Sequence, residues 1–141
     1  MCPDFPILHS MGQERYRRML RAKIHRATVT DANLEYEGSL TIPPDLMKLA
    51  DIREYEGISI WNVTRGTRFD TYAMVGQPGS REICVNGAAA HLAGVGDRII
   101  ISAFASVPEC DLEQFVPRVI FVDGENRAVR MGSEVPGPQK P

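Results

Sequence analysis

The stretch Ile58-Ser59-Ile60-Trp61-Asn62-Val63-Thr64-Arg65-Gly66-Thr67-Arg68-Phe69-Asp70-Thr71-Tyr72-Ala73-Met74-Val75 decides the fold. From Ile58 to Asn62 the residues follow the period of two that sends successive side chains to opposite faces of a strand. Thr64 to Thr67 has turn composition, and Arg68 to Val75 runs back as a second strand, so the whole reads as a hairpin. In the returning strand Arg68, Asp70 and Tyr72 share one face, while Phe69, Thr71 and Ala73 share the other.

Outward from this hairpin the same short-period pattern recurs. Upstream, Met19 to Val29 reads as a strand with Lys23 and His25 on one face and Ala22 and Ile24 on the other. Between the two, Pro43-Pro44-Asp45 followed by Leu46, Met47, Leu49 and Ile52 has a proline-led start and helical spacing, which predicts one short helix. Downstream, Gly76 to Gly79 turns the chain into a strand over Arg81–Val85, and Asn86 is placed to cap a helical turn at Ala88-Ala89-Ala90. Two further strands are expected at Arg98–Ala105 and Arg118–Val122, with a turn at Asp123-Gly124-Glu125-Asn126 leading to a final piece. Many short strands, few helices and frequent turns predict a mainly β protein, a closed or partly closed barrel.

At 141 residues the chain is one domain. Residues 1–17 mix Pro, Gly and charge without periodicity and read as a flexible extension, with Met11 a rival start to Met1; residues 18–131 carry the barrel, and residues 132–141 are a flexible Pro/Gly tail. A formal net charge of −2 provides no basic face for nucleic acid. No apolar run is long enough to span a membrane, and the first residues lack a signal-peptide core, so the protein is expected in the cytoplasm. Cys2, Cys84 and Cys110 form no CxxC pair, and Cys84 reads as buried filler within Ile83-Cys84-Val85. His25 and His91 stand at no metal-ligand spacing with a cysteine, and no metal is expected. Gly94-Val95-Gly96 follows a helix and precedes a strand, the reverse of a dinucleotide fingerprint.

Five blocks occur in one order: Lys23-Ile24-His25-Arg26, Leu34-Glu35-Tyr36-Glu37-Gly38-Ser39, Ile60-Trp61-Asn62-Val63-Thr64, Arg68-Phe69-Asp70-Thr71-Tyr72-Ala73, and Val85-Asn86-Gly87-Ala88-Ala89-Ala90-His91. A Gly-Ser step alone is an ordinary turn. Together, from about Met19 to about Val122, the blocks closely resemble the pyruvoyl-dependent aspartate 1-decarboxylase family. The resemblance implies a six-stranded double-psi β-barrel assembling as a homotetramer with sites between subunits. It also implies self-cleavage between Gly38 and Ser39, conversion of Ser39 into a covalently bound pyruvoyl group with no pyridoxal phosphate, and decarboxylation of L-aspartate to β-alanine for pantothenate and coenzyme A synthesis. Some family members need an activating partner protein.

Residue roles follow from the matched blocks. Ser39 is the catalytic centre and, with Gly38, the processing site; a glycine without Cβ relaxes the backbone's resistance to attack. Thr71 is the expected hydroxyl donor to the oxyanion that develops during cleavage. A pyruvoyl ketone forms a Schiff base with an amino acid and accepts electrons as carbon dioxide leaves. Arg68 offers a bidentate fork for a substrate carboxylate and Lys23 a second cation. Tyr72, protonated at neutral pH, is the expected proton donor. Asn86, Gly87, Ala88 and Ala89 offer an amide and free backbone N–H groups for substrate binding. Trp61 walls the pocket or packs in the core. Two alternatives stand beside this reading: the same chemistry on another acidic amino acid such as glutamate, and an unprocessed barrel used as a binding domain.

Overall fold

The computed structural model describes residues 14–137. The first expected segment therefore falls mostly outside the described residues, including both candidate starts, as do the last four residues of the tail. The strands of the described residues run in order β1 (Tyr16–Thr28), β2 (Asp31–Asn33), β3 (Ser39–Ile42), β4 (Gly57–Asn62), β5 (Arg68–Val75), β6 (Cys84–Asn86), β7 (Arg98–Pro108), β8 (Arg118–Val122) and β9 (Ala128–Met131). A single α-helix among them, α1 (Pro44–Ala50), lies between β3 and β4, and 3₁₀ turns occupy Gly87–His91 and Glu109–Gln114.

All nine strands join one sheet in the order β2-β6-β3-β5-β4-β7-β1-β8-β9. The mainly β class is borne out and the architecture is consistent with a small β-barrel, although backbone pairing does not close the sheet from end to end. Six strands were implied; the larger number reflects short segments of three or four residues, such as β2 and β9, that add to the sheet at its two ends.

The central hairpin forms as read: β4 and β5 are antiparallel with Trp61 opposite Arg68 and Gly57 opposite Tyr72. Strand β1 also alternates as expected, with Ala22 and Ile24 fully buried and Lys23 and His25 half-buried. Its alternation is interrupted where Arg26 takes φ 67° and the register against β7 shifts between Ile24 and Ala27. Left-handed backbone at one residue is how a bulge re-aims the rest of a strand.

Helix α1 starts on Pro44 in its first turn and ends at Asp51, whose φ of 54° stops the helix. It buries Leu46, Met47 and Ala50 against the sheet. The core beneath is built of β-branched residues that suit a pleated surface, among them Ile24, Ile42, Ile60, Ile83, Val85, Ile99, Ile101 and Ile120, all fully buried.

The expected strand over Arg81–Val85 is displaced to Cys84–Asn86. Arg81 and Ile83 are engaged elsewhere: the Ile83 carbonyl accepts from the Thr30 amide, the Ile83 amide donates to Thr30 Oγ1, and the Arg81 carbonyl accepts from Asn126 Nδ2. Cys84 is half-buried rather than fully buried, between fully buried Ile83 and Val85, and burial pushes its thiol pKa up. The turn residue Asn126 is itself buried, and its amide also binds both backbone polar groups of Thr28. Beyond β9 the chain stays attached to the barrel, the Gly132 amide donating to the Val119 carbonyl and Glu134 pairing with Lys23.

Candidate active site

Strand β3 begins on Ser39 and lies between β5 and β6. It is parallel to β5, Leu40 opposite Ala73, and antiparallel to β6, Ser39 opposite Asn86. This register brings three of the matched blocks to one end of β3. Ser39 is buried, 4% exposed, and its backbone takes φ 132°, a region that residues with a side chain rarely occupy. Backbone held there costs of order 1–3 kcal/mol and persists only where the surroundings impose it.

Those surroundings are the β6 end. Asn86 Nδ2 donates to Ser39 Oγ and to Thr41 Oγ1, each at 3.2 Å. Asn86 does occupy the N-cap position of the 3₁₀ turn, but its side chain makes no capping bond. The amide is spent on the serine instead. Gly87, the next residue, is buried with φ 68° and lies directly against the backbone of Gly38. Ala88 and Ala89 follow in the same turn.

On the other flank, Ala73 pairs with Leu40, so Tyr72 stands one step earlier on β5, level with Ser39 on the neighbouring strand. The Tyr72 ring is half-buried and stacks on Tyr55 at 6.3 Å. Thr71, the preceding residue of β5, borders an open cleft of about 280 Å³ lined also by Arg18, Gly57, Ile58, Ser59, Asp70 and Phe104. Within it the Ser59 hydroxyl donates to Asp70 at 2.7 Å.

The cationic residues lie elsewhere in the sheet. Arg68 is at the start of β5, exposed, with its guanidinium 5.2 Å from the Trp61 ring centre. Trp61 is half-buried between Arg68 and Phe104. Lys23 is on β1, separated from β3 by β5, β4 and β7 in the sheet order. Its ammonium pairs with the Glu134 carboxylate. Beside it on the same face, His25 has a buried Nδ1 with no hydrogen-bond partner, and its ring edge meets Phe121. Burial, then the charges of Lys23 and Arg26, lower the His25 pKa and favour the neutral ring.

One chain thus brings together Gly38, Ser39, Asn86 and Gly87, with Tyr72 level with Ser39 on the next strand, while Lys23 lies on β1, three strands intervening in the sheet order, and Arg68 at the start of β5. Two contacts of the Ser39 neighbourhood were not read from the sequence: Thr41 sharing the Asn86 amide, and Gly87 against Gly38. The alternating pattern of β3 could have placed Thr41 on the Ser39 face; nothing in the sequence pairs residue 87 with residue 38. Among the described residues, no group of three or more His, Cys, Asp or Glu could hold a metal ion, and no helix is long and apolar enough to cross a membrane.

Comparison with known proteins bears on the same segment. A profile of the aspartate decarboxylase family matches residues 15–129. Aspartate 1-decarboxylase of Rhodopirellula baltica is 56% identical over 123 residues, covering 87% of this chain and 79% of that protein. The enzyme of the same name from Legionella pneumophila strain Paris is 56% identical over 79% of this chain and 84% of its own length. That of Myxococcus xanthus is 52% identical over 88% of this chain and 96% of its own. The matched region contains every strand from β1 to β8 and all the residues gathered around Ser39, and the chain belongs to the aspartate decarboxylase family.

Proposed function

We propose that this protein cuts its own chain between Gly38 and Ser39, converts Ser39 to a pyruvoyl group, and decarboxylates L-aspartate at C1 to β-alanine, the precursor used for pantothenate. The observation that carries the reading is the state of Ser39: a buried serine on strained backbone, its hydroxyl held by the Asn86 amide. Strain and a pre-placed nucleophile are what attack on a neighbouring peptide requires. The Ser39 hydroxyl adds to the Gly38 carbonyl carbon, the peptide C–N bond breaks, and the nitrogen takes a proton, leaving an ester. Loss of the Ser39 α-proton expels the Gly38 carboxylate, and water then replaces the residue's nitrogen, which departs as ammonia.

The position of Ser39 suits the product: the residue is buried, its hydroxyl is bound by the Asn86 amide, and Gly87 backs the adjoining Gly38. When present, the pyruvoyl ketone condenses with the substrate amine and accepts the electrons released with carbon dioxide. The chain's own residues do the rest. Asn86 and the backbone N–H groups from Gly87 to Ala89 orient the bound groups, Tyr72 delivers a proton to the former α-carbon, and Thr71 serves the cleavage step. Arg68 takes a carboxylate through its fork and Lys23 a second one, a task its ammonium already performs with Glu134. Three strands separate Lys23 from Ser39 in the sheet order of one chain, which supports a site formed between subunits of a homo-oligomer, in keeping with a tetramer in the cytoplasm.

The test is intact mass under denaturing conditions, before and after a carbonyl-reactive reagent. Two fragments are expected, residues 1–38 and a ketone-bearing 39–141, and Ser39→Ala stays one inactive chain. A single unreactive chain that gains no aspartate turnover with a co-expressed activator overturns the proposal.

A further inference from the structure

We infer that Gly87 is a positioning residue for the cut: the absence of a Cβ there lets the Gly38 backbone lie against it and so sets where the Gly38 carbonyl stands relative to the Ser39 hydroxyl. The inference rests on the self-cleavage reading and adds to it a steric requirement at a residue outside the cut peptide.

The geometry is specific to this glycine. A Cβ on Gly87 would fall 2.9 Å from both Cα and N of Gly38 and 3.0 Å from the Tyr36 carbonyl oxygen. All three are backbone atoms, which cannot rotate away as a side chain would. Gly87 also sits at φ 68°. Three other glycines of the described residues share such a backbone, Gly66 at 77°, Gly79 at 79° and Gly96 at 89°, yet a Cβ on any of them would meet nothing within 4 Å. Gly38 itself would direct a Cβ into open space. The tight constraint on the scissile segment therefore lies across the sheet at 87.

Asn86 and Gly87 together hold the two halves of the reacting unit. Asn86 pairs with Ser39 in the register and binds its hydroxyl, while Gly87 supports the residue whose carbonyl is attacked. In the acyl shift the Ser39 oxygen must close on the Gly38 carbonyl carbon as the C–N bond opens. Displacement by a fraction of an ångström from such an approach slows it on the order of 10- to 100-fold.

The experiment follows cleavage by intact mass in cell-free synthesis of the full chain and of three variants. Gly87→Ala adds the Cβ and backbone strain; Gly87→Asn adds the Cβ but tolerates left-handed backbone; Gly79→Ala adds strain with no contact. Thermal midpoints are compared in a Ser39→Ala background, where cleavage cannot contribute. The expected result is cleavage slowed at least tenfold in both Gly87 variants and unchanged in Gly79→Ala. If Gly87→Ala gives no soluble protein, Gly87→Asn carries the same test. Wild-type rates in Gly87→Asn, or equal slowing in Gly79→Ala, overturn the inference and leave self-cleavage standing. A wild-type chain that never cleaves, even when synthesised together with an activator, overturns both.

Discussion

Ser39 and Asn86 show how much a residue's meaning depends on its neighbour. In sequence, Asn86 ahead of three alanines is a helix cap; in the fold its amide is committed to the Ser39 and Thr41 hydroxyls and caps nothing. Both readings use the same chemistry, an amide seeking partners, and the antiparallel pairing of β3 with β6 decides between them. Tyr72 was legible as a face partner of Arg68, and the parallel pairing of β3 with β5 brings it level with Ser39. Its proposed duty is proton delivery after decarboxylation rather than cleavage. Tyr72→Phe is therefore expected to yield the two fragments normally while kcat falls about 10²- to 10⁴-fold, the range for losing a general acid. Intact mass and β-alanine formation measure the two separately, and normal turnover would remove Tyr72 from that role.

Among the elements, the β4–β5 hairpin was legible because alternation and a turn are local properties. What anchors its far end was not. Asn62 Nδ2 donates at 2.9 Å to Asp97, a buried carboxylate that also accepts from the Gly94 amide at 2.9 Å and pairs with Arg65 at 2.7 Å. Burial works to raise the Asp97 pKa, but the Gly94 amide, the Asn62 amide and the Arg65 charge outweigh it and hold the carboxyl below its ordinary value. A group lowered on folding contributes stability above its unfolded pKa and loses it as pH falls through the folded one. Asp97→Asn is accordingly expected to destabilise the fold at pH 7 by roughly 1–3 kcal/mol, the scale of hydrogen bonds to a charged group. The deficit should begin to narrow below about pH 4, where the unfolded chain's carboxyl takes up its proton, and narrow further as pH falls through the lower folded value. Thermal midpoints of both proteins at pH 7 and pH 3 check this; a gap that does not narrow argues against the charge.

For the whole molecule, the sheet order separates groups that the proposed chemistry needs together. Lys23 on β1 and Ser39 on β3 have three strands between them, and within one chain Lys23 is occupied by Glu134. If sites form between subunits, an inactive Lys23→Ala chain, which can still cleave, and an inactive Ser39→Ala chain, which keeps Lys23, should regain aspartate turnover when co-assembled. Each variant alone stays inactive. Absence of recovery in verified mixed oligomers would place Lys23 and Ser39 in one subunit.

By itself the sequence determined the mainly β class, the central hairpin, the proline-led helix and the blocks that name the family, because each is written in residues close along the chain. Tertiary structure decided the rest. It made β1 with β8, β2 with β6 and β3 with β5 parallel pairs, which no local turn encodes. It also set Gly87 against Gly38 and, across 47 residues of sequence, the Asn86 amide on Ser39. The physical reason is that alternation records which face of a strand is buried but not which edge it meets; that choice falls to the shared core of isoleucine and valine, whose burial is complete in only one register.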